Sequence, residues 1–148
     1  MARIRHIALV VKDLEKTATF YQKALGLSRS EMSEGPTARR IYMSDGEVNL
    51  ALLQYKSEVG SGLKDPQTFV GVHHFGILVD DLEDYQKKLE EMGAPCFMKQ
   101  DPDTAGSYYE TKFRGPDGVV FDLSEHPWVG SAPAGVAEVK VKETEPAE

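Results

Sequence analysis

Two separated stretches of the chain carry the same pattern of apolar and polar positions. His6-Ile7-Ala8-Leu9-Val10-Val11 is a run of mostly β-branched and apolar residues, long enough for a strand and too short for a buried helix, and it leads into Asp13-Leu14-Glu15. His74-Phe75-Gly76-Ile77-Leu78-Val79 repeats it without gaps 68 residues further on and leads into Asp81-Leu82-Glu83. Each Asp is a good helix N-cap, because its carboxylate accepts from backbone N–H groups that the first helical turn leaves open. After the first cap, Leu14, Ala18, Tyr21 and Leu25 fall on one helical face, and Gly26 ends the helix. After the second, Leu82, Tyr85, Leu89 and Met92 do the same, with Gly93 at the position that favours a left-handed backbone.

Strand-like segments follow each helix: about 28–33, 39–44 and 48–55 in the first half, and about 95–100, 107–114 and 119–124 in the second. Asp45-Gly46 and Asp117-Gly118 sit before the last strand of each half, as turn residues do. The pattern predicts an α+β domain over residues 1–130, made of two tandem βαβββ modules at about 3–56 and 71–128. Residues 57–70, with Gly60, Ser61, Gly62 and Pro66, read as the linker. Residues 131–148, rich in Pro, Ala and Glu, read as a flexible tail.

Composition adds exclusions. The 148 residues suit one domain or two half-domains sharing a core, and a hydrophobic content of 41% is that of an ordinary globular protein. With 17 Lys and Arg against 24 Asp and Glu, the formal charge is −7, and no basic run exceeds Arg39-Arg40. Nucleic acid and membrane surfaces are therefore not expected partners. Cys96 stands alone, so an intrachain disulfide is excluded and a reducing cytoplasm is expected. No stretch approaches the roughly 18 apolar residues of a membrane span.

The duplicated plan, the His opening the first strand of each half and the segment Gly115-Pro116-Asp117-Gly118-Val119-Val120-Phe121-Asp122-Leu123-Ser124-Glu125 together resemble the vicinal oxygen chelate superfamily. That family includes glyoxalase I, methylmalonyl-CoA epimerase, extradiol dioxygenases, fosfomycin-resistance enzymes and metal-free bleomycin-resistance proteins. The resemblance, over about residues 3–128, implies that both modules curl into one open, barrel-like sheet around a divalent metal. It also implies a homodimer and a small-molecule substrate. His6 and His74 match the family's histidine ligands, and Asp122 falls where the family commonly has Glu. Strand alternation agrees: with Phe121 and Leu123 facing a helix, Asp122 faces the other way. Two His and one carboxylate with open positions suit Fe(II) best, with Ni, Co, Mn or Zn as alternatives. The fourth ligand of some relatives has no Glu or Gln counterpart here. Asn49 stands near that place as a weak fourth ligand through its amide oxygen.

Taken singly, a strand His is more often packed than metal-bound and an Asp at a strand end more often solvated; their joint register favours ligation. Lys112 stands where the extradiol dioxygenases have a catalytic Tyr, and reads as a cation for a carboxylate or enolate, as a base, or as a rim residue with its head in water. Glu110 shares its face and is a candidate base or simply its ion-pair partner. His126 shares the parity of Asp122 and is a candidate acid or base, unless the strand has ended before it. Tyr108 reads as a wall, Arg39 and Arg40 as anchors for an anionic tail or as solvated charges, and Phe20, Tyr21 and Trp128 as core or rim. His73, opposite in parity to His74, reads as a packing residue.

The expected function is a metal-dependent enzyme on a small oxygenated metabolite. A non-haem Fe(II) dioxygenase-like oxidoreductase is slightly favoured. The alternatives are a glyoxalase I- or epimerase-like lyase or isomerase, and a metal-free drug-binding protein.

Overall fold

The computed structural model describes residues 1–101 and 110–128. Tyr108 and the expected tail lie outside the described residues. The elements in chain order are β1 (Ala2–Val10), α1 (Leu14–Leu25), β2 (Ser28–Arg29), β3 (Ser33–Glu34), β4 (Ala38–Ser44), β5 (Asn49–Tyr55), a short helical turn α2 (Glu58–Ser61), β6 (Gly71–Val79), α3 (Leu82–Glu91), β7 (Met98–Lys99), β8 (Thr111–Arg114), a 3-10 turn (Pro116–Gly118) and β9 (Val120–Ser124).

The strands form one nine-stranded, mostly antiparallel sheet in the spatial order β2-β4-β5-β1-β6-β9-β8-β7, with β3 also on β4. The modules meet at the antiparallel β1–β6 seam. Within each module the first and last strands pair in parallel, β1 with β5 and β6 with β9. The sheet is open rather than closed into a barrel, as the α+β reading expected.

Both helix caps form. Asp13 accepts from the Lys16 N–H and Asp81 from the Asp84 N–H, each at 2.9 Å. Leu14 and Ala18 of α1 pack with Ile41, Met43 and Leu52 on the outer face of the first module. Around α3, Leu82, Tyr85 and Leu89 cover Val79, Phe113 and Leu123 on that of the second. With these residues turned outward, strict alternation turns Ala8, Val10, Ala51, Leu53 and Tyr55 to the inner face, where they form a separate cluster.

The strand expected over 28–33 is broken into β2 and β3. The break lies at Ser30, whose backbone N–H and side-chain oxygen both bond Tyr42, at 2.8 and 3.0 Å, in place of a regular ladder. The linker is also more ordered than a spacer needs to be. In α2, Gly60 has φ 86°, and a Cβ there would lie 2.8 Å from Thr37, so only glycine suits the place. Phe20, read as core or rim, is 62% exposed on α1.

Candidate functional site

Two β-bulges on the β1–β6 seam build the site. Ile4 opposes Ile77 and His6 opposes Gly76, so Arg5 is an extra residue on β1. Ala8 opposes His74 and Leu9 opposes Val72, so His73 is an extra residue on β6. A bulge re-aims the side chain it inserts, and Arg5 and His6 are consequently both buried, each 1% exposed. Gly76 makes room for them: a Cβ there would lie 2.0 Å from His6 Cδ2 and 2.7 Å from Asp122 Oδ1.

The neighbouring strands complete the cluster. β9 sets Asp122 beside Gly76, and β8 sets Lys112 beside Asp122. Glu110, two residues before Lys112, lies on the same face, and all three side chains are buried. His6 Nε2 donates to Asp122 Oδ2 at 2.9 Å and stands 3.5 Å from Glu110 Oε1. The Arg5 guanidinium donates to Asp122 Oδ1 at 3.1 Å and to the His126 carbonyl at 2.8 Å, and lies 3.6 Å from Glu110. Lys112 Nζ is 2.8 Å from Glu110 Oε2, 3.4 Å from His74 Nε2 and 3.8 Å from Asp122 Oδ2. Trp128 closes over one side, its ring 4.9 Å from that of His6 and 4.8 Å from that of Tyr42, with the Arg5 guanidinium 5.5 Å from its centre.

Charge balance explains why this survives burial. Two carboxylates face one guanidinium and one ammonium, so the cluster is formally neutral with neutral imidazoles. Burial alone would raise the Asp122 carboxyl, but the His6 hydrogen bond and the charges of Lys112 and Arg5 hold it below the ordinary carboxylate value. Burial, helped by the Lys112 charge, pushes His74 down to about 2. Burial also raises the Tyr55 phenol on the adjoining inner face.

Of the residues singled out in the sequence, His6, His74, Asp122, Glu110 and Lys112 come together. One donor atom each from His6, His74, Glu110 and Asp122 lies within 4.8 Å of the others, which adds Glu110 to the donor set. Asn49 is the register partner of His6 and is buried. The His126 side chain stays out: β9 ends at Ser124, the residue is exposed, and only its carbonyl reaches the cluster. Arg40 is half-buried on the inner face with Leu53 as its partner, and its Nη1 is 3.4 Å from the Tyr42 hydroxyl. Alternation alone misses Arg5 and misplaces His73, because each is the inserted residue of a bulge. A signal was present in the repeat, where the dipeptides Arg5-His6 and His73-His74 align at the same offset.

The model of the glyoxalase/bleomycin resistance protein/dioxygenase superfamily matches residues 3–123. The chain belongs to this superfamily. Among its curated relatives, glutathione transferase FosA of Serratia marcescens is 28% identical over 94% of this chain and 89% of that protein. Ethylmalonyl-CoA/methylmalonyl-CoA epimerase of Cereibacter sphaeroides is 26% identical over 69% and 79%. In fold, the superfamily domain is similar to the crystal structure of methylmalonyl-CoA epimerase from Mycobacterium tuberculosis, with a TM-score of 0.67 at 17% identity over 84% and 87% of the two chains. A buried cluster of two His, one Glu and one Asp that could hold a metal ion stands at the module seam.

Two measurements check this geometry. Gly76→Ala forces the His6 ring and Asp122 apart and is expected to cost at least about 2 kcal/mol in urea denaturation. Gly115→Ala, whose Cβ would meet nothing nearer than 3.5 Å, is expected to cost less than about 1 kcal/mol. The second concerns pH. Folded His74 takes a proton only near pH 2 while the unfolded chain does so near 6.5, so the unfolded state binds more protons in between and stability falls as pH falls. Between pH 6.5 and 5, His74 is expected to contribute about 1.6 kcal/mol of that loss in chelator-treated protein. His74→Gln removes it; an unchanged pH slope in that variant contradicts the assignment.

Proposed function

We propose that the protein is a metal-dependent enzyme that moves a proton at the carbon beside a carbonyl in a small anionic substrate, an epimerase- or isomerase-like activity. The observation that carries this reading is the Glu110–Lys112 pair. A carboxylate and an ammonium 2.8 Å apart, both buried, edge a donor cluster of two imidazoles and a second carboxylate. That combination supplies a proton acceptor and a fixed positive charge where water is scarce.

The donor set suits a divalent ion. Ligands on opposite sides of one ion stand roughly 4–4.4 Å apart, since metal–nitrogen and metal–oxygen bonds are about 2.0–2.2 Å, and the four donor atoms lie within 4.8 Å of one another. His6, His74 and Asp122 are the proposed ligands; mixed imidazole and carboxylate donors suit Fe, Mn, Co, Ni or Zn. A bound divalent ion polarises carbonyl oxygens as a Lewis acid.

This chain's own residues divide the remaining work. Arg5 holds Asp122 from the side opposite His6 and fixes its orientation. Glu110 takes the proton from the substrate carbon, and the enolate regains a proton on its other face or on the neighbouring carbon to give the epimer or the isomer. Lys112 stabilises the negative charge that then develops on the carbonyl oxygen. Arg40 receives the anionic end of the substrate: no carboxylate lies within ion-pair distance of it among the described residues, and it shares the inner face with Tyr42 and Tyr55. The epimerase relatives in sequence support this class over the dioxygenase-like one. The FosA relative supports one rival, addition of a thiol to a small electrophile.

The test is hydrogen exchange. Protein loaded with Co(II), Mn(II), Ni(II), Zn(II) or Fe(II) is incubated in D2O with α-branched acyl thioesters and 2-oxo acids, and loss of the α-proton is followed by NMR. Exchange that stops with chelator and falls at least about 100-fold in Glu110→Gln is expected. No exchange with any metal, together with oxygen uptake on Fe(II) and catechols or with thiol consumption, overturns the reading.

A further inference from the structure

His74 touches more than the charged cluster. On the side away from Asp122 and Lys112, its Nδ1 lies 2.7 Å from Nδ1 of His73, and Nε2 of His73 lies 2.6 Å from the Ser61 carbonyl. The bulge makes this possible, since two consecutive residues of a regular strand point to opposite faces. The carbonyl is itself held in place. Ser61 is buried in α2, and its hydroxyl donates to the Ser57 carbonyl at 2.9 Å and accepts from the Leu63 N–H at 3.1 Å. Aromatic rings confine His73, with Tyr55 at 5.1 Å and Phe69 at 6.2 Å.

Hydrogen-bond chemistry fixes the direction of this chain. A carbonyl only accepts, so His73 Nε2 carries a hydrogen. Two ring nitrogens 2.7 Å apart share one hydrogen between them. No carboxylate pairs with His73 among the described residues, so its ring is a neutral imidazole whose single hydrogen sits on Nε2. Its Nδ1 is therefore the acceptor, and the shared hydrogen belongs to Nδ1 of His74. A neutral His74 protonated there has a bare lone pair on Nε2, the nitrogen 3.4 Å from Lys112 Nζ and 3.6 Å from Asp122 Oδ2.

We propose that His73 is a positioning residue: the relay from the Ser61 carbonyl through His73 locks His74 into the Nδ1–H tautomer, so that its Nε2 faces the cluster as an acceptor. It serves in that form the Lys112 ammonium or a divalent ion alike. The two modules differ in just this respect. The bulge before His6 carries Arg5, which binds Asp122, and His6 turns an Nε2–H donor to the same carboxylate. One histidine of the pair donates and the other accepts.

The inference shares its cluster with the proposed function but not its chemistry, and its test needs no turnover. Two-bond 1H–15N correlation spectra of 15N-histidine-labelled, metal-free protein at pH 7.5 assign the His74 tautomer. Nδ1–H is expected in the wild type. His73→Leu removes the acceptor; His74 is then expected to shift toward Nε2–H, and Zn(II) affinity by calorimetry to fall roughly 10- to 100-fold. His73→Asn puts an amide oxygen near the place of the lost nitrogen and is expected to restore the Nδ1–H signature and most of that affinity. An Nε2–H tautomer in the wild type overturns the proposal, as does a tautomer unchanged in His73→Leu. Should His73→Leu fail to fold, the wild-type and His73→Asn spectra decide. Metal binding absent from the wild type while His74 remains Nδ1–H would sink the proposed function and leave the relay standing.

Discussion

Four formal charges are buried together at the module seam, and none of them could be there alone. Moving an isolated carboxylate or ammonium out of water costs several kcal/mol even after the protein relaxes. Asp122 is fully buried and meets Arg5 and His6; Glu110 meets Lys112. Removing any one partner leaves an uncompensated charge in the middle of the sheet. The rest of the architecture serves this balance. β1, β8 and β9 must each deliver a charged side chain to one point, β6 must pass between β1 and β9, and Gly76 must be the residue at which it passes.

The inner face is divided by the same constraint. On the first module it is floored by small and apolar residues, Ala8, Ala38, Ala51 and Leu53, with Tyr55 at one end. On the second module it holds Glu110, Lys112 and Asp122, with Arg5 of β1 meeting them at the seam. Trp128 bridges the two, its ring tilted against those of His6 and Tyr42, so the chain that leaves β9 covers the cluster it has just completed. The orientation proposed above, with the substrate carbonyl at Lys112 and its anionic end at Arg40, spans this division.

Much of the fold was legible because it is written in local chemistry twice over. The strands of the repeat, the Asp13 and Asp81 caps and the alternation that turns Phe121 and Leu123 outward and Asp122 inward all follow from periods of 2 and 3.6 residues. The same rule fails where the backbone departs from regular pairing. Arg5 and His73 are bulge residues, and a bulge is set by the pairing of two distant strands, which no window on one strand contains. His126 was a candidate only if the strand reached it, and the strand stops at Ser124. Ser30 broke another by bonding Tyr42 through its side chain. Glu110 was found as a candidate base, yet its place among the metal-type donors depends on β9 lying next to β6 and β6 next to β1, a matter of topology rather than sequence spacing.

The central claim is that His6, His74 and Asp122 form one divalent-metal centre, with Glu110 and Lys112 beside it as the proton-transfer pair. Crystals grown with Mn(II) or Co(II), measured at the corresponding absorption edge, test it most directly. A single anomalous peak bonded to the two imidazoles and the Asp122 carboxylate, with Glu110 and Lys112 at its rim, is predicted. Diffraction that instead shows no peak there, with the Lys112 ammonium still seated between His74, Glu110 and Asp122, would contradict it.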